Sequence, residues 1–366
     1  MKPFVTKRDR SHCFVFCQIN LSQESKMNSK VASLAAVVCL SAITSFAVSA
    51  CDLRVTTWGG SYQATYESVA KKFEDQYHCN IQWVVGSSPD HLIKARLGQV
   101  DVVTNTLLNS IAGENEGLWT KLDKSTIPNM ANLYSNAVYS PYTIYANVGD
   151  YVLAYNKDKI PQAPQSWNAL WDNKYKDHVV IYGFDHIPTL SLTVMQAEQN
   201  GGSIDNIDPG LKKMAELEKS GNLIGALDVE SQMVSLFQTG DAWLGMMATG
   251  RMKELYEKGV TNIAFTRPKE GTFPLITTIN ITKYAKDQKM AQEFVNYILS
   301  PEVQLAFATR NLYAPTVKNV TIPTDFKYAN LLVKDEAFNR LYLPDQQKIT
   351  DHKAQWQQNI NELSSQ

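Results

Sequence analysis

The sequence of 366 residues is poor in the side chains and motifs from which most catalytic and metal sites are built. It has six histidines and five cysteines, and the histidines show no metal-ligand spacing. The motifs Gly-x-Ser-x-Gly, His-Glu-x-x-His and Gly-x-x-x-x-Gly-Lys-Ser/Thr are absent. The dipeptide Asp185-His186 is a candidate half of an acid–base pair, although a loop contact is the simpler interpretation. These absences favour a binding protein over an enzyme.

The chain also lacks a basic stretch. Its formal net charge is −1, and the first fifty residues contribute six Lys/Arg against two Asp/Glu. The remainder therefore has 29 positive and 34 negative side chains, a net charge of −5. Because a mildly acidic chain attracts phosphate backbones poorly, we expect no nucleic-acid partner. With 44% hydrophobic and 19% charged residues, the chain is long enough for two lobes with separate cores.

Long apolar runs are confined to the first fifty residues. The run from Val31 to Val48 follows Lys30, and Val48-Ser49-Ala50 places small residues where a signal peptidase cuts. We therefore predict that residues 1–50 are a leader, with the signal peptide at about 27–50 and the upstream part a wrongly assigned start. No later run is long enough to span a bilayer as a helix. The protein is expected to be exported.

Two cysteines, Cys51 and Cys79, follow the leader. Each stands just before a predicted strand of one βαβ unit. Because neighbouring parallel strands begin at the same edge of the sheet, the two cysteines are expected to lie side by side. A Cys51–Cys79 disulfide is feasible if the Cα atoms lie within about 7 Å, and an exporting route permits it. The alternative is a lipoprotein, because Val48-Ser49-Ala50-Cys51 also resembles a lipobox with Cys51 as the lipidated residue.

The βαβ unit itself begins at Leu53. Leu53–Trp58 reads as a strand, apolar residues from Tyr66 to Tyr77 recur at helical spacing, and Asn80–Val85 reads as a second strand. The turn of such a unit opens at the carboxyl edge of the sheet, where α/β proteins bind ligands with free N–H groups at helix starts. The candidate ligand contacts in this unit are Trp58, Gly59, Gly60, Ser61, Ser87 and Ser88.

The rest of the chain continues to alternate between strand and helix patterns, with helices expected at Leu190–Gln199, Asp208–Lys219 and Glu230–Thr239. The extended, tyrosine-rich run from Pro141 to Asn156 is typical of a crossing between lobes. Ser166 is expected to cap a helix through Trp171, and Ala248–Arg251 is expected to be a turn. The sequence thus predicts an α/β protein of two lobes joined by extended crossings.

Five motifs in order resemble the periplasmic substrate-binding proteins of ABC importers, in the spermidine/putrescine-binding group. They are Val55–Tyr62, Ser166–Trp171 followed by Lys174-Tyr-Lys176, Arg267–Phe273, Ala291–Val303 and Tyr313–Thr316. The resemblance implies a type II two-lobe fold, a ligand cleft between lobes, and a periplasmic protein that delivers a solute to an inner-membrane ABC permease. It implies no cofactor and no reaction, and we expect a monomer.

The resemblance also divides the chain. Lobe 1 is expected at 52–141 and about 273–305, and lobe 2 at about 150–268 and 310–366. Hinge crossings are expected near 142–150, 268–273 and 305–310.

The ligand is where this sequence departs from the polyamine-binding pattern. That pattern surrounds a cation with aromatic faces and carboxylates, and Trp58 and Asp185 match it. Pro188, Ala248 and Thr277, however, stand where a carboxylate, a tryptophan and an aspartate are expected. We therefore expect a small polar solute with an amine, zwitterionic or anionic rather than a classical polyamine. The further candidate contacts are Asn105, Asp185, His186, Thr249, Arg251, Thr277 and Thr278.

Simpler interpretations stand beside these. Arg251 pairs with Glu254 one helical turn on, Trp58 belongs to the core, Ser87 and Ser88 cap the next helix, and Asp185 caps the stretch from Ile187. The alternative functions are a ferric or other metal-ion carrier of the same fold and an exported enzyme on this scaffold.

Overall fold

A computed structural model describes residues 51–184, 186–227, 229–333 and 335–365. The predicted leader and the candidate ligand contact Asp185 lie outside the described residues. Among the described helices, none is both long and apolar enough to cross a lipid bilayer.

The opening βαβ unit forms as its sequence pattern predicts. Strand β1 (Cys51–Thr57) and strand β2 (Cys79–Val85) are parallel neighbours joined by helix α1 (Gly60–Tyr77). Gly59 precedes the helix with φ +80°, a left-handed angle that glycine adopts without steric cost. Cys51 and Cys79 are register partners and form a disulfide, which confirms the predicted pairing.

The remaining elements alternate in the same way. The other strands are β3 (Val102–Thr106), β4 (Trp119–Thr120), β5 (Ile144–Asn156), β6 (Val179–Tyr182), β7 (Leu223–Leu227), β8 (Leu244–Ala248), β9 (Ile263–Thr266) and β10 (Phe273–Thr282). The other helices are α2 (Ser88–Arg96), α3 (Leu107–Asn115), α4 (Ile187–Gln199), α5 (Asp208–Lys219), α6 (Glu230–Thr239), α7 (Thr249–Glu257), α8 (Gln288–Ile298), α9 (Pro301–Asn311), α10 (Asp335–Asn339) and α11 (Gln346–Ser365). Short 3-10 turns occupy Pro128–Asn132, Ser135–Ala137, Trp167–Trp171, Asn173–Tyr175 and Ala329–Leu331.

The strands of the described chain form one mixed sheet in the order β2-β1-β3-β10-β5-β8-β6-β7, with β4 beside β10 and β9 beside β5. Strand β10 is antiparallel to β3 and β5, whereas β6 is parallel to β7 and β8. Helices follow most strands, so the expected α/β class is confirmed.

Two large hydrophobic cores divide this sheet. The first core packs α1, α8 and α9 on the strands β1, β2 and β3, around Tyr66, Phe73 and Phe307. The second core surrounds β6 and β8 and includes Trp167 and Phe237. Strands β5 and β10 contribute side chains to both cores, and all of β5 is buried. The extended run predicted from Pro141 to Asn156 therefore does pass from one core to the other.

The last part of the chain is shared between the cores. Ala314 and Phe338 pack in the first core, whereas Trp356 and Ile360 of α11 pack in the second. Residues 305–310 lie within the helix α9 rather than in an extended segment. The lobe and hinge boundaries given above stay predictions.

Two local predictions differ from the structure. The expected turn at Ala248–Arg251 is the end of β8 followed directly by the first turn of α7. Ser166 caps a 3-10 turn, with its side chain accepting from the Asn168 amide, rather than a longer helix.

Candidate ligand-binding cleft

Two cavities open at the carboxyl ends of strands from both halves of the sheet, and Leu275 of β10 lines both. The polar cavity, of about 300 Å³, is lined by Ser61, Tyr62, Gly149, Glu230, Ala248, Thr249, Gly250, Arg251, Lys253, Glu254, Glu257, Leu275, Arg310, Asn311, Leu312 and Tyr313. The apolar cavity, of about 210 Å³, is lined by Thr106, Leu107, Leu108, Tyr151, His186, Ile187, Pro188, Pro274, Leu275, Ile276, Leu343 and Gln346.

Arg251 holds two carboxylates together in the polar cavity. Its Nε donates to Glu230 Oε2 at 2.6 Å and its Nη1 to Glu254 Oε2 at 2.9 Å. Burial by itself lowers the pKa of Arg251, but the bonds and charges of Glu230 and Glu254 outweigh it and raise that pKa above its ordinary value. The expected Arg251–Glu254 pair thus forms, and a second carboxylate joins it. The guanidinium nevertheless lies on the cavity wall and keeps further N–H donors.

Three tyrosines surround the Glu230 carboxylate. The Tyr182 hydroxyl donates to Glu230 Oε1 at 3.2 Å, and the Tyr151 ring meets the Tyr182 ring edge-on with centroids 5.1 Å apart. Burial first, and then the charge of Glu230, raise the pKa values of Tyr151 and Tyr313, the latter to about 12. Burial, then Tyr151, and then Glu230 raise the pKa of Tyr182. All three phenols therefore stay protonated near neutral pH and present neutral aromatic faces and hydroxyls.

Tyr62 connects this cluster with the first core. Its ring meets Tyr313 edge-on at 5.8 Å and Trp58 edge-on at 5.0 Å. Its hydroxyl accepts from Asn147 Nδ2 at 3.0 Å, and burial raises its pKa well above the ordinary value. The aromatic rings thus run without a gap from the end of β1 to the polar cavity.

The βαβ candidates divide into a cavity residue and supporting residues. Ser61 lines the polar cavity. Trp58 lines neither cavity and donates from Nε1 to Ser88 Oγ at 2.9 Å. Ser87 caps α2 in a reciprocal capping box with Asp90, so the simpler interpretation of that serine holds.

The two glycines of that unit act through the backbone. Gly59 and Gly60 both have positive φ, +80° and +57°, and a Cβ at Gly59 would lie 3.2 Å from Val85 Cγ1. They start α1 and place Ser61 at the cavity.

The β3 and β10 candidates are buried structural residues. Asn105 donates from Nδ2 to the Ser88 carbonyl at 3.2 Å, and Thr278 Oγ1 donates to the Asn105 carbonyl at 2.9 Å. Thr278 also lies 2.6 Å from Ser110 Oγ, so the hydrogen-bonding capacity of both side chains serves the interior. Asn105 and Thr278 are fully buried and Thr277 is 4% exposed, so direct ligand contact by these three stays a prediction.

The candidates of the second half lie at the cavities. Thr249 begins α7 and lines the polar cavity beside Arg251. His186 begins α4, lines the apolar cavity and stacks on Tyr182 with centroids 5.9 Å apart. Asp185 lies outside the described residues.

Sequence reasoning missed the most distinctive part of the cleft, Glu230 with its three tyrosines. Glu230 follows β7, a strand without an alternating pattern, so nothing placed it at a strand end. Tyr151 and Tyr313 stand in segments that were noticed, the extended run and the motif Tyr313–Thr316. Their aromatic character was the signal that was available.

The described residues contain no group of three or more His, Cys, Asp and Glu side chains arranged to hold a metal ion. Arginine and lysine side chains alternate with carboxylates in the lining of the polar cavity, and Arg251 pairs with Glu230 and Glu254 there. This donor set suits an organic ion better than a bare metal ion.

The described chain forms a mixed α/β sheet with two cores, and strand ends from both halves converge on one cleft. This arrangement defines the type II periplasmic-binding-protein fold. The family profile described as bacterial extracellular solute-binding protein matches residues 105–341. The chain belongs to this family.

Individual relatives agree with this assignment. The chain is 25% identical over 278 residues to the spermidine/putrescine-binding periplasmic protein of Salmonella typhimurium, across 73% of this chain and 75% of the relative. It is 23% identical over 287 residues to the gamma-aminobutyric acid-binding protein of Pseudomonas aeruginosa, across 73% and 77%. The crystal structure of an ABC transporter protein from Clostridium perfringens superimposes with a TM-score of 0.76 at 23% identity, covering 85% of this chain and 99% of that one. The resemblance seen in the sequence motifs is confirmed.

Proposed function

We propose that the protein is the solute-binding component of an ABC importer and captures a small polar organic solute that carries an amine. The observation that carries this proposal is the Glu230–Arg251 pair, which lines the polar cavity together with Tyr62 and Tyr313. A carboxylate with aromatic faces beside it attracts an ammonium group. The relatives named for polyamines and gamma-aminobutyric acid support an amine as the common element.

The arrangement favours a zwitterion over a polyamine. Arg251 brings a permanent positive charge within 2.6 Å of Glu230, so a second ammonium at this place would be repelled. A guanidinium donates two parallel hydrogen bonds to a carboxylate with matching geometry. A solute with an ammonium for Glu230 and an anionic group for Arg251 satisfies both, while the Ser61 and Thr249 hydroxyls at the same cavity offer neutral hydrogen bonds.

We propose that the two connecting strands act as the hinge on which the two halves close over the ligand. Because β5 and β10 belong to both cores, small rotations in them would move the two halves relative to each other. A ligand that contacts both halves only in the shut arrangement stabilises that arrangement by population shift. The shut form is proposed to deliver the solute to a membrane permease, without a reaction and as a monomer.

Export and a soluble periplasmic location belong to the same proposal. The Cys51–Cys79 disulfide suits an oxidising compartment. A lipidated Cys51 requires a free Sγ, and here this sulfur is bonded to Cys79. The disulfide therefore supports a soluble protein over a lipoprotein.

A thermal-shift screen of the purified protein tests the proposal. The panel contains putrescine, spermidine, gamma-aminobutyric acid, amino acids, sugars and ferric ion. A ligand at a hundred times its dissociation constant stabilises the folded state by about 2.7 kcal/mol, a shift of a few degrees. We expect zwitterionic amines to give the largest shift. Stabilisation by ferric ion alone, or by sugars alone, would contradict the proposal.

A further inference from the structure

The apolar cavity adds a second requirement to the ligand. We infer that the solute joins its charged head to an apolar group about the size of an aromatic ring, and that this group occupies the apolar cavity. The inference rests on the proposed function and narrows its ligand class to aryl- or alkyl-substituted amines and zwitterions.

The position of the apolar cavity places it within the ligand cleft. Thr106 ends β3 and Leu108 lies in the first turn of α3, whereas Ile187 and Pro188 begin α4 behind β6. The cavity thus lies where strands of both halves end, as the polar cavity does. Ligands of α/β sheets bind at such carboxyl ends.

One molecule is able to reach both cavities. Leu275 lines both of them. Tyr151 lines the apolar cavity, yet the charges of Glu230 and Arg251 in the polar cavity act on its hydroxyl. The two cavities are therefore neighbours on either side of Leu275 and Tyr151.

The described walls of the apolar cavity offer no carboxylate to a second ammonium. None of its described lining residues carries a carboxylate, an amine or a guanidinium. Leu108, Ile187 and Leu343 supply hydrocarbon, and Pro188 removes one N–H donor from the start of α4. The far ammonium of a diamine would lose water here without gaining a carboxylate among the described lining residues, which weakens its binding. An apolar group instead gains from leaving water.

The volume fits a ring. A dry cavity of about 150 Å³ with aliphatic and aromatic walls is large enough for benzene, and the apolar cavity measures about 210 Å³. The polar residues Thr106, His186 and Gln346 also line it and leave room for one polar substituent on that ring.

Calorimetric titration with matched pairs of solutes tests the inference. Phenylalanine is compared with alanine, and phenethylamine with ethylamine, so that only the apolar group changes; putrescine is titrated beside them. We expect each aryl compound to bind at least about tenfold more tightly than its partner. Leu108→Asn and Leu343→Asn should reduce this preference to less than about threefold, because each puts an amide into the hydrocarbon wall.

Matched controls separate the outcomes. Leu97→Asn changes a leucine that is 64% exposed and lines neither cavity. The preference of this variant for aryl compounds should therefore equal that of the wild type. Leu343 is itself 38% exposed, so its variant should fold, and the melting temperature without ligand checks this. Equal affinity within the pairs, or tighter binding of putrescine, overturns the inference and leaves the proposed function standing. If no amine or zwitterion binds, both fall together.

Discussion

The polar side chains at the strand ends have different tasks in the two halves of the sheet. Beside the first core, Ser87, Asn105 and Thr278 are bound into the protein as a helix cap and as buried hydrogen-bond partners. Beside the second core, Glu230 and Arg251 remain 33% and 44% exposed at the polar cavity. The comparison teaches that neutral polar residues at a strand end first satisfy the buried backbone. The charged pair Glu230–Arg251 stays partly exposed at the polar cavity.

Removing the disulfide should have the largest effect, and it should act on stability alone. The double variant Cys51→Ala/Cys79→Ala opens a loop with a sequence separation of 28, and we expect a loss of about 3 kcal/mol in unfolding free energy. Urea unfolding measures this loss. Because neither cysteine lines a cavity, the dissociation constant should not change. Two free thiols in the unfolded, unreduced wild type would contradict the pairing.

Arg251→Ala should weaken ligand binding and leave stability nearly unchanged. It removes the cation between Glu230 and Glu254, and we expect affinity for a zwitterionic ligand to fall by about 10- to 100-fold. Stability should change by less than about 1 kcal/mol because the ion pairs are partly exposed. Calorimetry measures the affinity. The control Arg96→Ala breaks another partly exposed arginine pair, with Glu116, and should leave affinity unchanged. Unchanged affinity in Arg251→Ala would show that Arg251 does not contact the ligand.

Thr278→Val tests whether the buried polar residues beside the first core serve stability rather than binding. The substitution keeps the shape but leaves Ser110 Oγ and the Asn105 carbonyl without the Thr278 hydroxyl. We expect unfolding free energy to fall by about 1–3 kcal/mol, with the dissociation constant preserved. Urea unfolding and calorimetry on one preparation measure both. A large loss of affinity at native stability would return Thr278 to the ligand site.

The smallest effect should come from His91, which packs against Trp58. Burial lowers the pKa of His91 below 6.5, although its ring nitrogens lie 2.9 Å and 3.1 Å from the Thr104 and Thr57 carbonyls, contacts that favour the protonated ring. The nearby charges of Lys94 and Asp90 act in opposite directions. Since the unfolded chain then binds the proton more readily, this contribution to stability is present above pH 6.5 and lost as the pH falls through the folded pKa.

Unfolding free energies at about pH 7.5 and about pH 5 measure this dependence. His91→Gln should reduce the difference between the two values, whereas His352→Gln on the exposed side of α11 should not. A ring that titrates above pH 6.5 in an NMR titration would contradict the direction of the shift.

The sequence allowed the architecture to be predicted better than the site. The helices Asp208–Lys219 and Glu230–Thr239 have the predicted bounds, because apolar periodicity is a local signal. Glu230 was nevertheless not recognised as a cleft residue, since its place depends on β7 pairing with β6, a contact between distant segments. Tyr313 reaches the cavity only because the segment after α9 returns to β5, where Ala314 bridges Val148.

Thr277 and Thr278 stay predictions as ligand contacts, and both are buried in this structure. The pairing of β10 with β5 shifts register between Thr277 and Thr278, an irregularity that re-aims side chains and that no local pattern in the sequence announces. The fully buried Thr278 bonds to Ser110 of α3, and Thr277 is itself 4% exposed. The order of the strands, which decides what covers each face, was not visible in the sequence.

A crystal structure of the protein with the tightest solute from the calorimetric series tests the central claim most directly. We predict density for one organic molecule in the cleft, with its charged nitrogen within about 3 Å of Glu230 and its apolar group between Leu108 and Leu343. A solute bound away from both cavities, or a metal ion in the cleft, would contradict the account.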